Sequence, residues 1–322
     1  MSSTQKQVPG ASPERCQNPV GGTDLGGPAE DDCRQETDTR GGRRGRIDGK
    51  VALITGAARG QGRSHAVRLA EEGADIIGVD LPPATAYAGV SYAMAADEDL
   101  AETTRLVEAT GRRMISATAD VRDQAQLEAA VAAGFAAFGR IDIVAANVGL
   151  IGSGEVAWEI PDERWQESFD VNVTGVWRTV RATAPYLIDG GRGGSIVITS
   201  STAGLRASPR AAAYTASKHA VVGLMRTLAM ELAPHHVRVN CIHPTAVASE
   251  MIFSESRRRR FRPDLPDPTV EDLAEVFTPL HLLPVPWLEP IDVSNALLWL
   301  VSDEARYVTG VSLPVDAGAS IK

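Results

Sequence analysis

The chain has 322 residues, a formal net charge of −9 and an ordinary hydrophobic content of 43%. Its length accommodates one large α/β domain or two small ones, and its acidic balance argues against nucleic acid as a partner. No apolar run reaches the roughly 20 residues that a membrane-spanning helix needs, and the first residues lack the apolar core of a secretory signal. The cysteines fit neither a disulfide framework nor a metal site, so we expect a cytosolic protein without a metal ion or a membrane partner.

The first 46 residues differ in composition from the rest of the chain. They are rich in Gly, Pro, Ser and charged residues and nearly free of large apolar ones. Such a segment cannot bury enough apolar surface to offset the entropy lost on ordering. We therefore expect a disordered tail over 1–46 and a folded domain over 47–322.

From residue 50 onward, short apolar runs alternate with segments of helical periodicity. This alternation is typical of a parallel sheet covered by helices on both faces. It predicts α/β architecture, a single doubly wound Rossmann domain with a mainly parallel seven-stranded sheet, whose ligands bind beyond the carboxyl ends of the strands. The predicted strands cover 50–56, 74–80, 114–120, 141–147, 194–200, 237–244 and 310–318, and the predicted helices cover 61–73, 98–110, 123–138, 162–188, 211–233 and 291–302.

A glycine-rich turn, "TGAARGQG" (55–62), joins the first predicted strand to the first predicted helix. Glycine lets the backbone approach a ligand closely, and a helix N-terminus offers free N–H groups to a phosphate. In this strand–turn–helix context the spacing predicts a dinucleotide site. Its candidate cofactor-binding residues are Gly56, Arg59, Gly60, Gln61 and Gly62.

Asp80 ends the second predicted strand, within the range of about 20 residues after the glycine turn that is expected of a ribose-binding acid. A carboxylate there accepts hydrogen bonds from ribose hydroxyls and repels a 2′-phosphate. No arginine follows directly, so we predict NAD rather than NADP as cofactor. The alternative for Asp80 is a simple strand-end cap, and Arg59 opposes the prediction because a basic residue in the turn could meet a 2′-phosphate.

The segment "YTASK" places Tyr214 and Lys218 four positions apart at the start of a predicted helix, thirteen residues after Ser201. Such a pair is, by itself, most often a helix-face pair without chemistry. A phenol with a pKa near 10 is a poor base, but a neighbouring ammonium favours the phenolate. Beside a dinucleotide site, Tyr214 could therefore exchange a proton with an alcohol or carbonyl oxygen during hydride transfer, while Ser201 holds that oxygen.

These motifs, with "AD" ending at Asp120, "ANVG" at 146–149 and "VNVTG" around Asn172, resemble the short-chain dehydrogenase/reductase family from about Gly49 to the C-terminus. The usual "NNAG" reads "ANVG" here, and the usual "PG" after the sixth strand reads "PT". The resemblance implies a catalytic tetrad of Asn172, Ser201, Tyr214 and Lys218. It also implies cofactor contacts from Tyr214, Lys218, Asp120, Val121, Asn147, Gly149, Pro244, Val247 and Ser249.

Residues 81–100 are surplus to one helix and its loops, beside the expected adenosine end. They are either a tolerated surface insertion or a flap over the cofactor. Together with "FRPDL" (261–265) and 283–318, they resemble the mycofactocin-coupled, carveol dehydrogenase-like subfamily. That resemblance implies NAD held too tightly to exchange and reoxidised in place by mycofactocin.

The segment 246–288 precedes the last predicted helix and, by the same resemblance, forms a substrate lid. Its apolar residues either line a pocket for a small hydrophobic alcohol or ketone or belong to an ordinary core or subunit contact. We expect the arginines at 257–260 to be solvated, with binding of an anionic substrate as the lesser alternative. The apolar lid candidates are Met251, Phe253, Phe261, Leu265, Phe277 and Trp287.

Two other functions remain open. The first is an ordinary ketoreductase, similar to 3-oxoacyl reductases, with freely exchanging NAD(P)(H); the insertion and the C-terminal segment argue against it. The second is a non-catalytic dinucleotide sensor, which would need neither Tyr214 nor Lys218. The family resemblance further implies a homotetramer built through the helices around 162–188 and 211–233 and the C-terminal strand.

Overall fold

The computed structural model describes residues 45–81, 87, 90, 92–152 and 154–322. The predicted tail therefore lies outside the described residues except for 45 and 46, and its disorder stays a prediction. The predicted insertion 81–100 is described only in part.

Seven strands form one sheet, as predicted. They pair in the spatial order third, second, first, fourth, fifth, sixth, seventh. All six pairings are parallel, which confirms the doubly wound fold. The strands are β1 (Val51–Thr55), β2 (Asp75–Asp80), β3 (Met114–Thr118), β4 (Ile143–Ala146), β5 (Gly194–Thr199), β6 (Val237–Pro244) and β7 (Ser312–Val315).

Helices cover both faces of the sheet, and each face has its own apolar core. None of the described helices combines the length and the hydropathy needed to cross a membrane, and the cytosolic location stays a prediction. The helices are α1 (Gly60–Glu71), α2 (Asp97–Glu108), α3 (Gln124–Phe138), α4 (Asp162–Phe169), α5 (Val176–Gly190), α6 (Ala212–Leu232), α7 (Glu250–Phe253), α8 (Glu255–Phe261), α9 (Val270–Phe277) and α10 (Pro290–Val301).

The prediction of one continuous helix over 162–188 is wrong in its middle. A π-helical turn, Asp170–Gly175, separates α4 from α5 and carries Asn172. The apolar pattern continues through the turn, so periodicity gives no sign of the extra residue. The Asn172 side chain is fully buried and hydrogen-bonded to Leu150, and this long-range contact is invisible in the local pattern. Single π turns inside α-helices occur frequently at functional sites.

The strand order reverses between β1 and β4, which opens a crevice at the carboxyl ends of these strands. The segment 246–288 covers this end of the sheet and begins and ends at one point. Val247 and Leu288 form a parallel bridge there, and the Leu288 N–H donates to the Ala246 oxygen at 2.9 Å. The segment is therefore a loop whose two ends are hydrogen-bonded to each other, and it contains α7, α8 and α9.

Candidate active site

A cavity of about 920 Å³ runs along the carboxyl ends of the strands, from the glycine turn to the 246–288 segment. The structure brings all the sequence-predicted site residues to its wall except Asp120 and Asn172. The predicted residues that line it are Gly56, Arg59, Gly60, Gln61, Gly62, Asp80, Val121, Asn147, Gly149, Ser201, Tyr214, Lys218, Pro244, Val247 and Ser249.

The glycine turn closes on itself at the start of α1. Gly56 has a φ of +72°, in the left-handed region that glycine tolerates best. A Cβ on Gly62 would lie 1.8 Å from the Gly56 carbonyl oxygen, so no side chain fits there without moving the backbone. The turn therefore leaves backbone, rather than side chains, facing the cavity at the N-terminus of α1.

Asp80 lies at the end of β2 and faces the glycine turn. Its carboxylate accepts the Ala58 N–H at 2.7 Å and the Leu81 N–H at 2.7 Å. Burial raises the pKa of Asp80, and these two hydrogen bonds and the charge of Arg59 oppose the shift. Asp80 therefore caps the end of its strand, which was the alternative interpretation, and it also lines the cavity.

Arg59 in the glycine turn and Arg63 in the first turn of α1 both form hydrogen bonds and ion pairs within the protein. The Arg59 guanidinium bonds to the Glu250 carboxylate and to the Ala93 carbonyl oxygen. Arg63 donates to the Ala58 oxygen at 2.6 Å and pairs with Asp99 at 3.2 Å. Arg59 therefore connects the glycine turn to the insertion and to α7.

The described part of the insertion forms one wall of the cavity through Tyr87, Val90, Tyr92, Met94 and Ala95. This contact with the cavity is what the flap interpretation requires, and a remote surface insertion would lack it.

Asp120 does not line the cavity. Its carboxylate forms a bidentate pair with Arg122, with the Arg122 Nη2 at 2.6 Å. The Arg122 guanidinium in turn stacks 4.6 Å from the centre of the Tyr87 ring. Asp120 thus supports the insertion wall through Arg122, and Val121 contacts the cavity in its place.

Tyr214 and Lys218 lie on the first turns of α6, one turn apart. The Lys218 Nζ donates to the Thr199 oxygen at the end of β5 at 2.9 Å, and burial lowers the pKa of Lys218 to about 8. Burial raises the pKa of Tyr214, opposed by a hydrogen bond with Ser201 and by the positive charge of Arg257. The action of Lys218 on the phenol stays a prediction, and Arg257 adds a positive charge near Tyr214 that the sequence did not reveal.

Asn172 positions the loop after β4 from behind the cavity. Its Oδ1 accepts the Leu150 N–H at 2.7 Å, and its Nδ2 donates to the Leu150 oxygen at 2.9 Å and to the Ser217 Oγ at 3.0 Å. A Cβ on Gly149 would lie 3.0 Å from the Lys218 Nζ. Glycine at 149 therefore leaves the room that Lys218 occupies.

Asn147 joins the ends of three strands. Its N–H donates to the Thr55 Oγ1 at 3.1 Å, and its Oδ1 accepts from the Thr199 hydroxyl at 3.1 Å. Because Lys218 also bonds to Thr199, the asparagine and the lysine are held by the same residue of β5. These contacts fix the floor of the cavity between its two ends.

This cavity has a glycine turn of the dinucleotide-binding type at one end and Tyr214, Ser201 and Lys218 at the other. The sequence model of the short chain dehydrogenase family matches residues 50–260. The chain belongs to this family. It is 51% identical over 277 residues to the (−)-trans-carveol dehydrogenase of Rhodococcus erythropolis. The alignment covers 86% of this chain and 99% of that protein.

Two solved structures of short-chain dehydrogenases are also similar. The carveol dehydrogenase of Mycobacterium avium in complex with NAD has a TM-score of 0.85 and 52% identity, covering 86% of this chain and 100% of that chain. A short chain dehydrogenase of Mycobacterium paratuberculosis bound to NAD has a TM-score of 0.78 and 44% identity, with the same coverage of 86% and 100%.

In this short-chain dehydrogenase some of the apolar side chains of the 246–288 segment line the cavity. Met251, Phe261 and Phe277 line the cavity. Phe253 and Trp287 instead pack edge to face at 4.9 Å inside the segment. Phe261 and Phe277 also belong to the small core of the segment with Phe253 and Trp287. The predicted residue Leu265 belongs to neither the cavity wall nor this core.

Thr245, which replaces the usual glycine after β6, also has a structural partner. Its hydroxyl bonds to the His281 Nε2 at 2.8 Å, and the His281 Nδ1 bonds to the Val285 oxygen at 2.7 Å. Because a carbonyl oxygen only accepts, Nδ1 carries a proton in this arrangement. Thr245 therefore connects the end of β6 to the 246–288 segment through His281.

The prediction that the arginines at 257–260 are solvated holds fully for one of them, and the other three are half-buried. Only Arg259 is exposed, and Arg257 and Arg260 line the cavity. Arg257 and Phe261 lie four positions apart on α8, so they share one face of the helix. That spacing is the signal in the sequence that could have shown Arg257 to face inward with the aromatic residue.

Proposed function

We propose that this short-chain dehydrogenase transfers a hydride between a hydrophobic secondary alcohol or its ketone and NAD. The observation that carries the proposal is a single cavity that joins the glycine turn and Asp80 to the hydroxyls of Ser201 and Tyr214. The similarity to proteins named carveol dehydrogenase, one of them in complex with NAD, supports it.

The residues of the cavity fit NAD. The side-chain-free turn at Gly56 and Gly62 leaves room for a pyrophosphate at the N-terminus of α1. The Asp80 carboxylate would accept hydrogen bonds from the adenosine ribose and would repel a 2′-phosphate. Arg59, which opposed this preference, bonds to Glu250 and Ala93. The fit therefore favours NAD over NADP.

The protein's part in the reaction is to hold the substrate oxygen and to move its proton. In the oxidative direction Tyr214 accepts the proton of the alcohol, and Ser201 keeps a hydrogen bond to the same oxygen as it becomes a carbonyl. NAD held in the cavity would supply the acceptor for the hydride that leaves the carbinol carbon. Arg257 stabilises the phenolate form of Tyr214, and Lys218 is within the cavity to hold the nicotinamide ribose.

Asn172 acts in this scheme as a positioning residue. It bonds to Leu150, whose loop forms the cavity wall beside Lys218. Asn172 itself does not line the cavity. The π-helical turn presents its amide to both the N–H and the oxygen of Leu150.

The substrate proposal rests on the lid. Met251, Phe261 and Phe277 give an apolar wall on the side of Tyr214, and burial of such surface favours a hydrophobic body next to the reacting carbon. Carveol, named in the relatives, is therefore the first substrate to test.

We further propose that NAD stays bound between turnovers and that mycofactocin reoxidises it. The resemblance of the insertion and of the C-terminal segment to mycofactocin-coupled enzymes motivates this proposal. Two contacts support it: the insertion lines the cavity through Tyr87 and Tyr92, and Arg59 joins the insertion to the glycine turn and to Glu250. A cofactor behind these contacts would leave slowly.

One experiment tests both proposals. The protein is purified without nucleotide and desalted, and NAD(H) is measured by absorbance and mass spectrometry after denaturation. Carveol is then added with either free NAD or an artificial electron acceptor. Stoichiometric NAD with turnover only in the presence of the acceptor supports retention. An empty protein that reduces free NAD supports an ordinary exchanging dehydrogenase, and no turnover of any alcohol or ketone contradicts the proposed activity.

We also propose a homotetramer. Large apolar side chains are exposed on the helices named for this role, with Trp177 on α5 at 43% and Met230 on α6 at 79% exposure. Subunit contact through these helices would cover both side chains. Light scattering on the purified chain measures the mass, and a monomer would contradict the proposal.

A further inference from the structure

Helix α8 directs two arginines, Arg257 and Arg260, to the wall of the cavity. We propose that they form an anion subsite, so that the substrate is a secondary alcohol or ketone with a hydrophobic body and a carboxylate. This inference rests on the proposed function and specifies its substrate class further.

The Arg257 guanidinium has a buried N–H that the described part of the chain does not satisfy. Its Nε is inaccessible to solvent and has no hydrogen-bond partner, and no ion pair forms between its guanidinium and the residues that the structure describes. The guanidinium lies 5.2 Å from the centre of the Phe261 ring. A buried charge without a counterion is costly, and burial together with Arg260 lowers the pKa of Arg257 to about 10, so it remains charged at neutral pH. An anionic ligand would supply the missing counterion.

Arg260 approaches the same aromatic ring from a second direction, 5.7 Å from its centre. Its Nη2 donates to the Arg210 oxygen at 2.9 Å, and the Arg210 Nη1 donates to the Gly154 oxygen at 3.2 Å. Arg210 has a φ of +57°, an uncommon conformation for a residue with a side chain. Besides burial, the positive charge of Arg260 lowers the pKa of Arg257, and that of Arg210 lowers the pKa of Arg260.

The acidic groups on this wall do not neutralise the cluster. Glu155 bonds to Arg164 and also acts on Arg260, and Glu159 lies in the adjoining space. The adjoining cavity is thus lined by three arginines, at 210, 257 and 260, and by two glutamates. One of these glutamates, Glu155, already forms an ion pair with Arg164. The remaining positive charge favours an anion.

The cluster lies on the substrate side of the cavity, away from the glycine turn. An adjoining cavity of about 410 Å³ shares Tyr92, Arg210, Arg257 and Arg260 with the main one. Arg257 also acts electrostatically on Tyr214 and Tyr92. A molecule with its hydroxyl at Tyr214 could therefore place a carboxylate at Arg257, and the planar guanidinium matches a carboxylate in a bidentate geometry.

The test compares two substrates of nearly equal shape, 3-hydroxycyclohexanecarboxylate and its neutral carboxamide. The ratio of their kcat/KM values is measured for the wild type, for Arg257→Met and for Arg259→Met. Arg259 is the matched control, because it is exposed on the same helix and pairs with Glu255. The ratio cancels any general effect of Arg257 on Tyr214.

We expect the wild type to prefer the carboxylate by about tenfold or more, the gain of one charged hydrogen bond. Arg257→Met should abolish the preference, and Arg259→Met should keep it. A wild-type ratio near one, or an Arg257→Met ratio equal to that of the wild type, overturns the subsite. In either case turnover of carveol would leave the proposed function intact.

Binding gives a second readout that needs no turnover. Isothermal titration with 3-oxocyclohexanecarboxylate should show binding to the wild type and to Arg259→Met, and about tenfold weaker binding to Arg257→Met. Equal affinities for the three proteins, or no binding to the wild type, contradict the subsite. Inorganic phosphate that competes with the carboxylate at Arg257 would leave the anion site in place and overturn its selectivity for carboxylate.

Discussion

The Lys218 Nζ lies 5.7 Å from the centre of the Tyr214 ring. The lysine is directed past the ring towards the end of β5, where it donates to the Thr199 oxygen. Its ammonium is therefore held by the sheet, and a second positive charge, that of Arg257 on α8, also favours the phenolate of Tyr214. This arginine therefore joins the 246–288 segment electrostatically to Tyr214.

The first prediction concerns Tyr214. Tyr214→Phe removes the hydroxyl that exchanges the proton, so turnover of carveol should fall by about 10² to 10⁴-fold, the usual contribution of general acid–base catalysis. Bound NAD(H), measured after denaturation, should remain. Tyr307→Phe is the control, because Tyr307 is 89% exposed. Turnover at the wild-type rate in Tyr214→Phe would refute the assigned mechanism.

The second prediction concerns pH. Arg257 lowers the pKa of Tyr214, so Arg257→Met should raise it. Oxidation requires the phenolate, and its rate increases as pH rises through this pKa. The rising limb of the pH–rate profile for a neutral alcohol should therefore move to higher pH in Arg257→Met and stay in place in Arg259→Met. An unchanged limb would show that Arg257 does not act on Tyr214.

A third prediction uses two helical glycines. Gly62→Ala places a Cβ 1.8 Å from the Gly56 oxygen, whereas Gly223→Ala on α6 meets no atom within 4 Å. Gly62→Ala should lose bound NAD and destabilise the fold by about 1–3 kcal/mol through overpacking. Gly223→Ala should stabilise it by up to about 1 kcal/mol, the difference in helix propensity.

Denaturant unfolding and the NAD content of the purified variants measure both effects. Full NAD content in Gly62→Ala would mean that the glycine turn is not the phosphate end of the site.

A fourth prediction concerns cofactor release. Arg59→Met breaks the contacts of the glycine turn with Glu250 and with Ala93 in the insertion. Bound NADH should then leave roughly 3- to 10-fold faster, since a typical hydrogen bond contributes about 1 kcal/mol. Release is followed by fluorescence after a chase with excess NAD. Arg105→Met, whose partner is Glu102 on the exposed face of α2, should release NADH at the wild-type rate.

Sequence reasoning predicted the seven strands, the fold and the residues of the glycine turn, because each depends on local patterns. An apolar β-branched run such as β1 indicates a buried strand wherever it occurs, and Gly62 is required by a turn only a few residues long. Ser201 was found because it follows the fifth strand, and the carboxyl ends of parallel strands meet at one edge. Asn147 was implied by the family resemblance.

The sequence by itself thus determined the alternation of elements, the family and the chemical groups available at the sheet edge. Only the tertiary structure decided which groups meet. Asn172 on the π turn bonds to Leu150, Arg59 pairs with Glu250, and Arg257 acts on Tyr214 while its own Nε has no partner among the described residues. Each of these relationships joins residues far apart in the chain, and local periodicity carries no information about the charge or the hydrogen-bond partner that folding brings beside a side chain.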